Sequence, residues 1–259
     1  MMNNILRLFV MLVCITSTSI NATVIARDLS HAPTFGLLDY SNNYRDAFSS
    51  SSDSAQIYQK GIDAIPAALI DDTLSNPLDD LGIITSSNTV PFFGIVDTTN
   101  PNNPSGDIEA SWLFNIDGFK QLLFSIDIAA MGDFESSDFF SWHYQIDNLG
   151  WQSLMTSSTD EQSSNSYQLE SNKVINLNDP LSTNGRLLSN NFSAFTKSIS
   201  GTGSILALKL NAVTNGGSEA IAFQQLLISG ESITDISEPN QWPIIMLALG
   251  LLAYRQKLR

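Results

Sequence analysis

The stretch DIEASWLFNID, residues 107–117, decides how this chain folds. Apolar residues at its even positions alternate with mostly polar residues at its odd positions: Ile108, Ala110, Trp112, Phe114 and Ile116 against Glu109, Ser111, Asn115 and Asp117. Successive side chains of a β-strand point to opposite faces, so a period of two indicates a strand with one face in a hydrophobic core.

Further strands are predicted on both sides of this stretch. An apolar run at residues 90–97 indicates a buried strand, and residues 122–128 are apolar on both faces near their start. The other predicted strands are at residues 140–146, 151–155, 167–169, 174–177, 193–199, 205–212 and 220–229. Turns rich in Gly, Asn, Asp and Pro separate these strands, which indicates an all-β fold, an antiparallel β-sandwich of jelly-roll type. The side chains expected to pack between its two sheets are Phe114, Phe124, Trp142, Tyr144 and Phe223.

The predicted sandwich occupies residues 65–231. Residues 27–64 include the polar run SSSSDS and are predicted to be irregular. Within them, Ala55, Ile57, Tyr58 and Ile62 fall near one helical face and Pro66 follows, so a helix is predicted over residues 54–65.

Residues 1–26 have the form of a secretory signal peptide. Arg7 precedes an apolar run at residues 8–15, and Ala22 and Ala26 are the candidate cleavage ends. The alternative, a helix of the mature protein, is disfavoured because the run is too short and a Ser/Thr-rich stretch follows it. Cys14 is the single cysteine and follows the bulky Val13, so lipidation is not expected and the mature chain has no disulfide.

Residues 242–259 are predicted to form a membrane anchor with a basic end. The thirteen residues 242–254 are almost wholly apolar, and as a helix they span roughly 20 Å, against a hydrocarbon core of about 30 Å. The alternative is a helix packed on the domain, but residues 244–252 have no polar face, and such a helix must be buried in protein or lipid. The anchor is defined by aromatics at its two interfaces, leucines at its centre and cations at its end. These are Trp242 and Tyr254, Leu247 and Leu251, and Arg255, Lys257 and Arg259.

Glu238-Pro239 precede this anchor, in a linker at residues 232–241. Together they resemble the sorting tails of PEP-CTERM proteins, which are exported bacterial proteins, although Ser237 stands where that family usually has proline. The resemblance implies an exosortase-like sorting protease as partner. It also implies a membrane-anchored location in the cell envelope, or release to the extracellular matrix after tail processing.

Motifs across residues 65–230 resemble a jelly-roll domain of bacterial extracellular proteins. That domain occurs in some large secreted nucleases and in tail-anchored proteins that lack catalytic domains. The most specific motifs are MGDFESSD at residues 131–138 and GGSEAIAF at residues 216–223. Members often continue the second motif with Asp-Asn or Gln-Asn, where this chain has Gln224-Gln225. The resemblance implies a fold and no catalytic activity.

The predicted mature segment is strongly acidic. Residues 23–237 carry 25 acidic and 8 basic side chains, a net charge of −17, which repels nucleic acid and attracts divalent cations. Ca²⁺ binds six to eight oxygen ligands, and the candidate ligands, all within the two specific motifs, are Asp133, Glu135, Asp138 and Glu219. Alternatively, these acids are solvated, cap turns, or pair with Lys209 and Arg186.

Catalytic motifs are missing from the sequence. It contains no G-x-S-x-G, Walker lysine loop, paired-His zinc motif or EF-hand loop, and its histidines are His31 and His143, the latter expected on a solvent-facing strand position. We therefore expect a non-catalytic envelope or extracellular-matrix protein with a binding or structural module. The alternative is a module that binds exopolysaccharide, and third is a hydrolase using a carboxylate pair. Trp151, beside a turn, is the candidate for stacking on a sugar ring, whereas Trp142 is expected in the core.

Overall fold

A computed structural model describes residues 22–233 of the protein. Most of the predicted signal peptide, the sorting motif at Glu238-Pro239 and the predicted anchor lie outside the described residues. Within residues 22–233, no helix is long and apolar enough to cross a membrane.

The described part of the chain consists of strands and one short 3-10 helix at Ala67–Leu69. In chain order the strands are β1 (Thr23–Asp28), β2 (Leu37–Asn42), β3 (Ser54–Tyr58), β4 (Phe92–Val96), β5 (Ile108–Asn115), β6 (Phe119–Met131), β7 (Phe139–Ile146), β8 (Gln152–Thr159), β9 (Ser164–Gln168), β10 (Val174–Asn178), β11 (Leu181–Thr183), β12 (Arg186–Leu187), β13 (Ser193–Ile199), β14 (Ile205–Val213) and β15 (Ala220–Ser232).

These strands form two large antiparallel sheets. The six-stranded sheet has the order β13-β6-β15-β4-β3, with β1 also paired to β15, and the seven-stranded sheet has the order β12-β11-β8-β7-β14-β5-β2. β9 and β10 form a separate hairpin. The prediction of an all-β antiparallel sandwich is confirmed.

The main core lies between the two sheets and is rich in aromatic side chains. The five residues predicted to lie there, Phe114, Phe124, Trp142, Tyr144 and Phe223, are all buried. The Trp142 ring, from the seven-stranded sheet, has its centroid 5.5 Å from those of both Phe124 and Phe223 of the six-stranded sheet. Aromatic pairs at this separation add to the stability gained from burial alone.

A second core covers the outer face of the six-stranded sheet. Leu69 and Ile84, from the long connection between β3 and β4, pack there with Tyr167 of the β9–β10 hairpin. This cover buries every residue of β4 on both faces. The outer face of the seven-stranded sheet has no comparable apolar cover among the described residues, and its central outward side chains are mainly polar.

Residues 27–64 are not irregular, and that prediction is wrong. They include the last two residues of β1 together with the whole of β2 and β3, which extend both sheets. The predicted helix over residues 54–65 is also wrong, because Ser54 to Tyr58 pair antiparallel with β4 and bury Ala55 and Tyr58. Pairing with a neighbouring strand overrides the weak helical periodicity of this segment.

The predicted signal-peptide boundary at residue 26 cuts through β1. Ile25 and Ala26 are buried in the main core, and β1 pairs with β15 from Thr23 onward. Of the two candidate cleavage ends, Ala22 leaves β1 whole, whereas cleavage after Ala26 would remove most of it.

Candidate functional site

Three of the four predicted calcium ligands come together at one end of the sandwich. Glu135 and Asp138 lie in the connection between β6 and β7, and Glu219 immediately precedes β15. One ligand atom from each lies within 4.8 Å of the others. We call these three residues the acidic cluster. Asp133 is not among the carboxylates that come together. Burial, followed by the Asp133 charge, raises the pKa of Asp179.

Backbone N–H groups hold the two buried carboxylates of the cluster. The Asn215 N–H donates to Asp138 Oδ1 (3.1 Å) and to Glu219 Oε2 (3.3 Å), and the Gly216 N–H donates to Glu219 Oε2 (3.0 Å). The Glu135 N–H donates to Asp138 Oδ2 at 2.8 Å. The carboxylates therefore tie the β6–β7 connection to the β14–β15 connection. Both carboxylates therefore accept hydrogen bonds from turn N–H groups, which is one of the roles considered beside calcium.

Two glycines make room for Glu219. A Cβ at Gly216 would lie 2.4 Å from Glu219 Oε1, and a Cβ at Gly132 would lie 2.8 Å from the Glu219 Cα. Both distances are too short for any side chain, so the buried carboxylate at this position depends on the two glycines.

Two of the three carboxylates of the cluster are buried while Glu135 is exposed, and no base of the described residues forms an ion pair with them. Asp138 and Glu219 are 1% and 4% exposed, and the ion pairs of the described residues are elsewhere: Arg45–Asp46, Lys173–Asp80 and Lys209–Glu109. Burial, followed by the charges of Asp138 and Glu135, raises the pKa of Glu219 to about 8. Burial, followed by the neighbouring Glu135, raises the pKa of Asp138 to about 6.

The predicted pairing of these acids with Lys209 and Arg186 is wrong. Lys209 is paired with Glu109 on the neighbouring strand. The Arg186 guanidinium lies 3.6 Å from the centroid of the Phe195 ring and donates to the Ala194 carbonyl oxygen. Two chemical states therefore suit the cluster: a proton shared among the carboxyl groups, or a divalent cation bound by their oxygens. Three carboxylates from two connections fit such a cation.

The second candidate site is the outer face of the seven-stranded sheet. Its central strands are β5, β14 and β7, whose inward side chains form the core and whose outward side chains alternate with them. We call this surface the Trp151 face, after the ring at its edge. Its outward residues are Glu109, Ser111, Leu113, Ser141, His143, Gln145, Ala207, Lys209 and Asn211, with Ser41 of β2 and Ser153 of β8 beside them.

Strand register places five of these residues in one row across the sheet. Ser41 pairs with Ser111, Ser111 with Lys209, Lys209 with His143, and His143 with Ser153. Strands lie about 4.8 Å apart, so five strands give a face roughly 19 Å wide. Because the three serine side chains in this row are small, the surface along it is shallow except at Lys209 and His143. We call this row the floor of the face.

Lys209 organises the middle of the Trp151 face. Its Nζ lies 3.2 Å from Glu109 Oε2 and 4.5 Å from the centroid of the Trp151 ring. A cation against a tryptophan ring is attracted by the negative face of the ring, so Lys209 holds Trp151, which remains 41% exposed as a residue. Trp142, in contrast, is fully buried, which confirms its assignment to the core.

His143 and Asn211 add hydrogen-bonding groups that the protein does not use. His143 Nδ1 and Asn211 Oδ1 are buried and have no hydrogen-bond partner among the described residues. Burial, followed by the Lys209 charge, lowers the pKa of His143, so the imidazole is neutral near pH 7. A polar atom left without a partner costs about 1–3 kcal/mol. Because both atoms are buried, a ligand on this face would reach them only if neighbouring side chains moved.

The sequence indicated that Trp151 could stack on a sugar ring and that His143 faces solvent. It did not indicate that Lys209 and Glu109 lie beside Trp151. Their odd positions beside the apolar residues of β14 and β5 marked them as outward-facing, which was the available signal. Their proximity to Trp151 depends on the strand order β8-β7-β14-β5, and alternation along single strands does not contain that order.

The chain resembles known proteins only at the level of solved structures, and weakly. No protein-family model and no curated protein matches the chain. Among solved structures, a structure described as "CBM4 structure and function" aligns with TM-score 0.29 and 11% identity over 54% of this chain and 70% of its own.

Two further structures align at similar levels. The CBM22-1–GH10 modules of the Clostridium thermocellum endo-1,4-β-D-xylanase 10B, complexed with xylohexaose, align with TM-score 0.32 and 8% identity over 80% of this chain and 28% of that one. The K3 adhesin domain of Lys-gingipain from Porphyromonas gingivalis aligns with TM-score 0.30 and 8% identity over 75% of this chain and 99% of that one. At these TM-scores the likenesses carry no argument about function.

Proposed function

We propose that the sandwich is a non-catalytic module that binds polysaccharide at the Trp151 face, in a protein exported to a bacterial envelope or its extracellular matrix. The observation that carries this proposal is the exposed Trp151 ring, held by Lys209 beside a shallow polar floor. The apolar face of a sugar ring packs against an aromatic ring, while its hydroxyl groups need hydrogen-bonding partners nearby.

The position of the Trp151 face supports the proposal. The six-stranded sheet is covered on its outer side by the second core, so the outer face of the seven-stranded sheet is the broad sheet surface left for a ligand among residues 22–233. Ser111, His143 and Asn211 place hydroxyl, imidazole and amide groups on that surface, and Lys209 is held there by Glu109 and Trp151.

The test compares Trp151→Ala with Leu149→Ala on a glycan array, using the full-length chain in a detergent without a sugar headgroup. Leu149 lies two residues away and is 82% exposed, so its loss controls for removal of apolar surface. We expect the parent and Leu149→Ala to bind the same glycans and Trp151→Ala to bind them at least about tenfold more weakly, a loss of roughly 1.4 kcal/mol. Equal binding by all three proteins would refute a role for this face.

A passive structural role is the second candidate, and the acidic cluster favours it. A divalent cation held by Glu135, Asp138 and Glu219 would join two connections of the sandwich in a chain that has no disulfide after removal of the predicted leader. In that case the cation supplies stability, and the domain serves as a coat component without a specific ligand. Hydrolysis is disfavoured at this cluster because its two buried carboxyl groups are too enclosed to reach a substrate.

The jelly-roll topology, the PEP-CTERM-like tail and envelope localisation remain part of the proposal. They rest on the motif resemblances and on the apolar block at residues 242–254. The exosortase-like protease and the membrane are the partners that this tail would require.

A further inference from the structure

We infer that the polysaccharide bound at the Trp151 face is uncharged. This inference rests on the proposed function and narrows the class of its ligand. It follows from the charges on the three central strands of the face and from the two contacts that Lys209 already makes.

The centre of the Trp151 face is electrically balanced, although the domain is not. Residues 23–237 carry a net charge of −17. The strands β5, β14 and β7 together contain one acidic residue, Glu109, and one basic residue, Lys209. These two are paired at 3.2 Å, so the centre of the face has no net charge. A polyanion approaching it would meet the repulsion of the whole domain without a compensating local cation.

Lys209 is not free to bind an anionic sugar. Its ammonium group is held between Glu109 Oε2 and the Trp151 ring, and its side chain is only 19% exposed. A carboxylate or sulfate group would have to displace Glu109 while also losing its own hydration. His143 supplies no positive charge near pH 7, because burial and the Lys209 charge lower its pKa. A neutral sugar needs neither change, since it can stack on the exposed side of Trp151 and exchange hydrogen bonds with the floor.

Affinity electrophoresis of the full-length chain, again in a detergent without sugar headgroups, tests the inference. The gels contain neutral polymers (β-glucan, xylan, galactan or dextran) or acidic polymers (alginate or polygalacturonate). Each is run at about 20 and about 200 mM NaCl, where charges are screened beyond roughly 20 and 7 Å. EDTA is present throughout, so that added cations cannot bridge two anionic surfaces.

We expect at least one neutral polymer to retard the parent protein, with less than about a twofold change between the two salt concentrations. Trp151→Ala should lose this retardation and Leu149→Ala should keep it. Stronger retardation by an acidic polymer, or retardation that high salt abolishes, would overturn the neutral assignment while leaving polysaccharide binding intact. Retardation by neither class would overturn both the proposed function and this inference.

Glu109→Gln tests the physical reason for selectivity. The substitution keeps the size of the side chain and releases the Lys209 ammonium from its ion pair. We expect alginate retardation at low salt to rise severalfold in this variant, with neutral retardation changed by less than about twofold. Matched behaviour of Glu109→Gln and the parent on alginate would show that the ion pair does not set the selectivity, which would contradict the inference.

Discussion

Replacement of Glu219 by Gln should make the protein more stable at alkaline pH. Glutamine has nearly the same size and keeps a carbonyl oxygen that can accept the N–H groups of Asn215 and Gly216. It cannot ionise, so it removes one negative charge from a buried site that has no base beside it. Few substitutions of a hydrogen-bonded buried residue are expected to stabilise a fold, which makes this outcome diagnostic.

The magnitude follows from proton linkage. Burial and the charges of Asp138 and Glu135 raise the pKa of Glu219 from 4.5 to about 8. A carboxyl group with a raised pKa in the folded state holds its proton more tightly there than in the unfolded state. The parent therefore loses stability as the pH rises from the unfolded pKa through the folded one, and the loss is complete above pH 8. At about 1.4 kcal/mol per pH unit, this difference amounts to a loss on the order of 5 kcal/mol.

The assay is urea unfolding followed by tryptophan fluorescence between about pH 5 and pH 9, in EDTA. We expect the free energy of unfolding of the parent to fall by several kcal/mol over this range, and that of Glu219→Gln to fall much less. Asp39→Asn is the matched control, since it removes an exposed acid from β2 without touching the cluster. A Glu219→Gln profile as steep as that of the parent would refute the burial argument for this residue.

The same two proteins separate a bound cation from a shared proton. A cation that binds only the folded state adds about 2.7 kcal/mol at a hundredfold excess over its Kd. If the cluster binds Ca²⁺, millimolar CaCl2 should stabilise the parent above pH 8, more than Mg²⁺ or NaCl at the same ionic strength. Glu219→Gln should lose this extra stabilisation by Ca²⁺, because the substitution removes one of the three negative charges that would bind the cation. Equal effects of the three salts on the parent would leave the shared proton as the state of the cluster.

Three other predictions concern the core and the chain ends. Phe124→Ala removes a fully buried ring beside Trp142 and should lower the free energy of unfolding by about 3–5 kcal/mol in the urea assay; a change below about 1 kcal/mol would place Phe124 outside the core. Replacing both Leu247 and Leu251 by Asp should move the protein from the membrane fraction to the soluble fraction, because each charge at a helix centre costs about 3 kcal/mol; a soluble parent protein would contradict the anchor. Intact-mass measurement of protein from the envelope should give the mass of a chain that begins at Thr23, which keeps β1 whole. The mass of a chain that begins at Arg27 would contradict this.

Alternation predicted the strands of the main core and failed at the start of the chain. The predicted strand at residues 193–199 coincides with β13, and β5, β7 and β14 lie within two residues of their predicted bounds. In β2, the sequence LLDYSN begins with two apolar residues, and its side chains are half-buried or exposed. Pattern alone cannot identify a strand that is held mainly by pairing along one edge.

The acidic cluster shows what the sequence could and could not predict. The motifs identified Asp138 and Glu219, but their contact depends on strand register. β6 pairs with β15 so that Met131 lies opposite Ala220. The residues that follow β6 and those that precede β15 must therefore meet at one end of the sheet. Asp133 belongs to the same motif, yet it is not among the three carboxylates that come together.

The register of β15 separates its own end from the acidic cluster. β1 begins beside the end of β15, because Thr23 pairs with Gly230, so the first and last described strands have these ends on the same side of the domain. Glu219 lies at the other end of this strand, which has 13 residues and a length of roughly 40 Å. The acidic cluster and the described ends of the chain therefore lie at opposite ends of β15. Substitutions in the cluster should therefore leave the β1–β15 pairing intact, so cation binding and membrane fractionation can be measured separately.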